Sequence, residues 1–236
     1  EALRSPEWRA GVLRVWDQLS EAPGEVQAAL QPFISSLRLE NPGDTLTSYP
    51  GSPAIVTGMA RTSDALRLCE LHDESAARLG QSMGRDPRIK IEQRDGYEAL
   101  VAYLPPPERR GLVLIDPPYE VGTATAKSDY AWTLRALRKS LKRWPEGTYA
   151  IWRPIKDLEA VETFDSDVAT LAIQQAGLPP EKLLVADLWI RALDSGSLAG
   201  AGLLIINPPY GLHEKLANVL PWLAVTLDQS PPGPSQ

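Results

Sequence analysis

The chain has 236 residues, and its hydrophobic content of 43% and charged content of 23% are ordinary for a soluble globular protein. It contains no run of about 18 apolar residues, so no membrane span is expected, and no signal-peptide pattern opens the sequence. A single cysteine, Cys69, permits no internal disulfide and fits a reducing cytoplasm. The chain has two histidines, His72 and His213, which are far apart in sequence. Two histidines and one cysteine in this arrangement exclude a His/Cys zinc cluster.

The net charge of −6 argues mildly against nucleic-acid binding, because phosphate contacts need clustered Lys and Arg. A chain with a negative net charge can nevertheless contain a local cluster of positively charged residues. One region is crowded with cations: Lys127, Arg135, Arg138, Lys139, Lys142 and Arg143, next to Arg109 and Arg110. The simpler interpretation of this group is a solvated helix face, and binding to a polyanion is the alternative.

Residues 1–62 read as helices separated by turns. The predicted helices cover residues 2–20, a short stretch that ends near Leu37, and a segment that runs to about Thr62. Pro23-Gly24 breaks the first helix, and Asn41–Asp44 is a turn cluster. Ser52 is a good N-cap and Pro53 a good first residue for the third helix.

From residue 65 onward the pattern alternates between strands and helices. The predicted strands are Ala65–Glu70, Ile89–Gln93, Gly111–Ile115, Thr148–Trp152, Leu183–Ile190 and Gly202–Ile206. The predicted helices are Asp73–Met83, Gly96–Leu104, Ser128–Trp144, residues 157–176 and Leu212–Leu227. The last two strands have no helix between them, so they should pair as a hairpin around Asp194–Gly200. This order predicts a doubly wound α/β sheet with an antiparallel edge, which binds ligands at the carboxyl ends of its strands.

Asp116-Pro117-Pro118-Tyr119 follows the strand Gly111–Ile115 directly. An exocyclic amine on a base is conjugated with its ring, so a site that methylates it needs acceptors for both N–H bonds. The Asp116 carboxylate supplies one, and the carbonyl between the two prolines supplies the other, held still by the fixed φ of proline. Tyr119 supplies a flat face for an extruded base, and catalysis is then mostly orientation. The competing interpretation is a plain turn after a buried strand.

Acidic residues end two earlier strands as well. Glu70 ends the first strand, where an acid can accept hydrogen bonds from both ribose hydroxyls of a nucleoside cofactor. Asp95-Gly96 follows the second strand, where Asp95 suits an adenine amino group and Gly96 allows a close backbone approach. Each has a simpler alternative, a solvated acid for Glu70 and an N-cap for Asp95. Three acids at three successive strand ends are much rarer by chance than any one of them.

A second copy of the motif, Asn207-Pro208-Pro209-Tyr210, follows the strand Gly202–Ile206. A catalytic strand of this fold needs further strands after it to complete the sheet. After Tyr210 the sequence reads as one helix and a tail. We therefore assign the second copy a structural role at the exit of the hairpin.

Six segments, in this order, resemble the RlmJ family of 23S ribosomal RNA adenine-N6 methyltransferases. They are Tyr49–Pro53, Glu70–His72, Asp95-Gly96, Gly111–Glu120, Gly147–Ala150 and Asn218–Leu223. The resemblance covers essentially the whole chain and implies a Rossmann-like class I methyltransferase fold. It also implies a monomeric cytoplasmic enzyme that uses S-adenosylmethionine, without a metal ion, to methylate adenine in 23S rRNA. It implies that Ser52, Glu70, Asp95, Gly96 and Asp116 contact the cofactor, and that Asp116 in its Pro117-Pro118-Tyr119 turn is catalytic.

The family opens with a segment that contains His and Lys and with a first strand followed by a Gly-rich loop, and neither is present here. The chain does not begin with Met, so we expect that residues precede Glu1. Residues 1–48 are then a partial helical insertion subdomain, 49–229 a methyltransferase domain without its first strand, and 230–236 a disordered tail. Methylation of DNA adenine or of protein glutamine, and a non-catalytic RNA-binding scaffold, remain alternatives.

Overall fold

The computed structural model of the chain describes residues 7–119, 124–193 and 198–230. The chain forms two units, one of Glu1–Gly96 with Asn218–Leu227 and the other of Tyr97–Ala217 with Asp228–Gln236. The division that the sequence suggested at residue 48 stays a prediction. None of the described helices is long and apolar enough to cross a membrane.

The first unit combines helices with a parallel pair of strands. Its elements are α1 (Glu7–Ala10), α2 (Val12–Gln18), α3 (Gly24–Glu40), α4 (Ser52–Met59), β1 (Leu66–Glu70), α5 (Asp73–Met83) and β2 (Ile89–Gln93). Strand β1 pairs in parallel with β2, with Leu66 opposite Ile89 and Glu70 opposite Gln93. The helices enclose an apolar core around Leu37, which is fully buried.

A buried side chain, Asn41, fixes the turn that follows α3. Its Nδ2 donates to the carbonyls of Leu37 and Ser48, both at 2.8 Å, and its Oδ1 accepts from the backbone N–H groups of Thr47 and Ser48. Because these bonds satisfy backbone groups at the helix end, they stabilise the chain reversal. The turn predicted at Asn41–Asp44 is therefore present, with Asn41 as its anchor.

The start of α4 differs by one residue from the sequence prediction. We predicted Ser52 as the N-cap, but the helix begins at Ser52, and Gly51 occupies the cap position with no side-chain hydrogen bond. Pro53 still lies in the first turn, where its missing N–H costs nothing. The helix ends at Met59 rather than near Thr62, because Ala60 takes an extended conformation.

The second unit contains a four-stranded sheet and the helices that cover it. Its elements are β3 (Leu112–Ile115), α7 (Ala124–Arg143), β4 (Thr148–Ile155), α8 (Leu158–Thr170), β5 (Leu183–Trp189) and β6 (Gly200–Ile206). Two helices, α6 (Gly96–Tyr103) and α9 (Leu212–Thr226), contain residues of both units. The sheet order is β3-β4-β6-β5, in which β3 and β4 are parallel and the other pairs are antiparallel. The core of this unit lies between α7, α8 and the inward side chains of β4, such as Tyr149 and Ile151.

The predicted α/β class and the antiparallel C-terminal hairpin are confirmed. The strands form two separate sheets in the described part of the chain, where no strand pairs with the outer edge of β3. Strand β4 runs to Ile155, beyond the predicted end at Trp152, because β6 begins at Gly200 and pairs with this extension. Residues 194–197 of the hairpin connection and 231–236 of the predicted tail lie outside the described residues.

Candidate active site

Asp116 lies at the carboxyl end of β3, as the sequence predicted. Ile115, the last residue of the strand, is opposite Ile151 of β4, so Asp116 comes at the level of Trp152. The residue is exposed, and among the described residues none donates a hydrogen bond to its carboxylate. Partial burial of the carboxyl group raises the pKa of Asp116 above its ordinary value. The group is thus an acceptor with free capacity, held at a strand end.

Tyr119 closes the motif in an unusual conformation. Its φ of 45° lies in the left-handed region, which is strained for a bulky residue. The side chain is 3% exposed, and its hydroxyl donates to the carbonyl of Trp152 at 2.9 Å. The ring centroid lies 5.0 Å from that of Tyr130 and 5.8 Å from that of Trp152. Burial raises the pKa of Tyr119, so the hydroxyl remains a donor.

Tyr119 therefore anchors the turn against β4, while Asp116 and Pro118 are exposed and Pro117 is half-buried. Two prolines between a strand end and a buried side chain leave the turn little conformational freedom. In this conformation a base could stack on the Tyr119 ring only after its neighbours move. The stacking role of Tyr119 stays a prediction.

A buried charge network that the sequence reading missed lies next to Trp152. Arg153 has no exposed surface, and its Nε donates to Oδ1 of Asp165 in α8 at 2.7 Å, while Nη2 bonds the second oxygen. Its Nη1 pairs with Oδ1 of Asp187 in β5 at 3.1 Å. Burial disfavours the charge of Arg153, but the hydrogen bonds and charges of the two acids outweigh this and raise its pKa.

The network has room because Gly202, which lies between its charged groups, has no side chain. On the sheet, Gly202 of β6 lies opposite both Arg153 and Asp187, between the two strands that carry them. A Cβ at Gly202 would lie 2.4 Å from Arg153 Nη1 and 2.2 Å from Asp187 Oδ1. The missing side chain thus lets the two charges meet across the central strand. One sequence signal was available, because Arg153 follows Tyr149 and Ile151 at the period of two of the buried face.

Four of the five candidate cofactor residues, Ser52, Glu70, Asp95 and Gly96, lie in the first unit, whereas Asp116 belongs to the second. Glu70 ends β1, where its carboxylate accepts the N–H of His72 at 3.3 Å beside an open depression of about 490 Å³ lined by residues 71–75. Because β1 and β2 are parallel and Glu70 is opposite Gln93, Asp95 follows at the same edge. Apart from the adjoining backbone, no atom of the described residues lies within 4 Å of where a Cβ of Gly96 would be. Ser52 is exposed at the start of α4.

Asn207 has the structural role that the sequence suggested. Because β6 is antiparallel to β4, Asn207 lies at the edge of the sheet opposite to Asp116. Its Nδ2 donates to the carbonyls of Pro145 at 2.7 Å and Gly147 at 2.8 Å, so the side chain joins the end of β6 to the turn before β4. Its amide has no donor left for a substrate.

An α/β fold with acids at the carboxyl ends of its strands and an Asp-Pro-Pro-Tyr turn defines a Rossmann-like methyltransferase. Comparison with known proteins gives the same class of protein and narrows it to one family. The model of the family described as "Ribosomal RNA large subunit methyltransferase D, RlmJ" matches residues 1–235. The chain belongs to this RlmJ family.

Two curated relatives carry the name "Ribosomal RNA large subunit methyltransferase J". The protein of Escherichia coli K12 is 34% identical over 223 residues, which cover 94% of this chain and 74% of the relative. The protein of Haemophilus influenzae is 32% identical over 228 residues, which cover 96% and 75%. The crystal structure of protein LPL1258 from Legionella pneumophila matches with a TM-score of 0.83 and 29% identity, over 98% of this chain and 79% of that one.

Proposed function

We propose that the protein transfers the methyl group of S-adenosylmethionine to the N6 amino group of an adenine in 23S rRNA. Membership of the RlmJ family supports the reaction class and the RNA substrate. The observation that carries the proposal is the position of Asp116, an exposed residue whose partly buried carboxylate has no donor among the described residues, directly after β3. Action as a monomer in the cytoplasm is part of the same proposal.

The chemistry follows from the acceptors of the turn. The lone pair of the adenine N6 atom is delocalised into the ring, so the amine reacts only when it is oriented towards the methyl group. The carboxylate of Asp116 and the carbonyl of Pro117 accept its two N–H bonds and hold it in that orientation. Tyr119, bonded to the Trp152 carbonyl, keeps the turn in place. Transfer would form an N–C bond at the amine as the S–C bond of the bound sulfonium breaks, and the proton lost by the amine would pass to solvent.

The residues of the first unit fit the adenosine part of this cofactor. Glu70 and Asp95 come at the same edge of the β1-β2 pair, and the space beside Gly96 is open. We assign Glu70 to the ribose hydroxyls and Asp95 to the adenine amino group, with Gly96 and Ser52 as close neighbours. S-adenosylmethionine, when bound, would supply the electrophilic methyl group.

Replacement of Glu70 with alanine should weaken cofactor binding. Two hydrogen bonds from ribose hydroxyls to a charged acceptor are lost, so the Kd for S-adenosylhomocysteine should rise by roughly tenfold to a hundredfold. Calorimetric titration measures this. Glu162→Ala, on the exposed face of α8, is the matched control and should leave the Kd unchanged. An unchanged Kd in the Glu70 variant would contradict the assignment.

Methyl transfer should be lost in acid at an unusually high pH for an aspartate. The ionised carboxylate is the form that accepts a hydrogen bond from the amine, and burial raises the pKa of Asp116. The value of kcat/KM, which reports the free protein, should therefore fall as the pH falls through that raised pKa, above the ordinary value of about 3.9. Single-turnover rates across the pH range test this. A constant rate down to the pH at which the protein unfolds would argue against the role.

A substrate comparison separates the proposal from its alternatives. Cofactor with a labelled methyl group is incubated with the protein and 23S rRNA, duplex DNA or a release factor. We expect label in the rRNA. Label found only in the DNA or only in the release factor would show that this molecule, and not rRNA, is the substrate. If S-adenosylhomocysteine produced no heat in a titration, the protein would instead be an RNA-binding scaffold.

A further inference from the structure

One face of α7 carries only positive charge. Its exposed side chains include, at helical spacing, Arg135, Arg138, Lys139, Lys142 and Arg143, which we call the basic face. The opposite side of the helix is buried in the core through Leu137, Leu141 and Trp144. Lys127 lies outside the side chains that the structure describes.

No acid interrupts the basic face along its own stretch of α7. From Tyr130 to Pro145 the sequence has no Asp or Glu, although the whole chain carries a net charge of −6. Arg135 and Lys139, Arg138 and Lys142, and Lys139 and Arg143 are like charges four residues apart, an arrangement that destabilises a helix. A helix face that is only solvated has no reason to accumulate such repulsion, which an anionic partner would relieve.

Two neighbouring features extend the basic face. At its N-terminal end, Trp132 is 47% exposed, and the guanidinium of Arg135 lies over its ring at 5.2 Å. At the other end, Gly111 packs against Trp144, so the exposed Arg109 and Arg110 that precede it come next to the end of α7. Exposed aromatic rings interleaved with cations are the usual means of binding a nucleic-acid strand, because bases stack and phosphates pair.

We propose that the basic face binds the phosphate backbone of the RNA substrate and that Trp132 stacks on an unpaired base. This inference rests on the proposed function, which supplies RNA as the polyanion. From Arg135 to Arg143 the face extends about 12 Å along the helix axis, enough to meet several successive phosphates. Asp116 acts on the base, whereas the basic face holds the strand without reading its sequence.

The test compares two variants with equal loss of charge. Arg138→Gln/Lys139→Gln/Lys142→Gln removes both members of the Arg138–Lys142 pair and one member, Lys139, of each of the other two repulsive pairs. Arg143 is retained because its Nη1 donates to the Val101 carbonyl at 2.9 Å. The control, Arg85→Gln/Lys182→Gln/Lys215→Gln, changes exposed cations elsewhere and gives the same net charge, −6 − 3 = −9. Binding of the whole chain to unmodified 23S rRNA transcribed in vitro is measured at several KCl concentrations.

We expect the basic-face variant to bind roughly tenfold more weakly at moderate salt, with a slope of log K against log salt reduced by about 2. The control should change by less than about threefold. The Tm of the basic-face variant should equal or exceed that of the parent, since repulsion is removed. Trp132→Ala should weaken binding by roughly fivefold or more without changing the slope.

Equal affinity and equal slope for the two triple variants would overturn the inference. A basic-face variant that binds RNA weakly because it is partly unfolded, as a lower Tm than that of the parent would show, would also overturn it. Methyl transfer to the same rRNA by the parent protein is measured alongside. If the parent transfers no methyl group to the rRNA, the proposed function fails. If it does, and the basic-face variant binds like the control, the inference alone fails.

Discussion

Asp116→Ala is expected to lower kcat for methyl transfer by at least about a hundredfold, because it removes an acceptor that orients the target amine. The Kd for S-adenosylhomocysteine should change by less than about threefold, since the principal partner of Asp116 is the substrate. Single-turnover transfer and calorimetric titration measure the two effects separately. Asp167→Ala, an exposed acid of α8, is the control and should keep the parent rate.

Stability distinguishes a catalytic loss from a folding defect. Because burial raises the pKa of Asp116, its charge is disfavoured in the folded state and costs stability above that pKa. Asp116→Asn should therefore have a Tm at neutral pH equal to or above that of the parent, with transfer still reduced. Parent-like turnover by either variant would refute the role of Asp116.

Arg153→Met should have the largest effect on stability. It leaves Asp165 and Asp187 without the guanidinium that both contact. Removing one partner of a buried ion pair costs about 3–5 kcal/mol, and the loss here should be at the lower end of that range because both remaining carboxylates are only half-buried. Denaturant unfolding measures the loss, and Arg85→Met, at an exposed arginine, should be nearly neutral.

A second variant keeps this prediction testable if Arg153→Met does not fold. Arg153→Met/Asp165→Leu/Asp187→Leu removes all three charges, and apolar replacement of a buried ionic group is often neutral or stabilising. The triple variant should recover most of the lost free energy of unfolding. A loss of less than about 1 kcal/mol in Arg153→Met, or no recovery in the triple variant, would show that the network contributes little.

Local patterns in the sequence predicted most of the fold. The short apolar runs Leu66–Glu70 and Leu112–Ile115 are bounded by turn residues, and each is a strand. For the same reason, Glu70 is the last residue of β1 and Asp116 directly follows β3. The cations from Arg135 to Arg143 share a face because their spacing is helical. In each case, information within a few residues was sufficient.

Contacts between distant residues could not be predicted in this way. Tyr119 was expected to present an open ring, but its hydroxyl bonds a carbonyl of β4 and its ring packs on Tyr130. Arg153 is buried because Asp165, from a helix, and Asp187, from another strand, converge on it over Gly202. Such arrangements depend on strand order and register, which propensities and periodicity do not define.

The most direct test of the proposed function identifies the methylated nucleoside. The protein is incubated with unmodified 23S rRNA and S-adenosylmethionine carrying a labelled methyl group, and the RNA is then digested to nucleosides for mass spectrometry. We predict that the label appears in N6-methyladenosine, and that it is absent with the Asp116→Ala variant. Label in another nucleoside, or undiminished label with that variant, would contradict it.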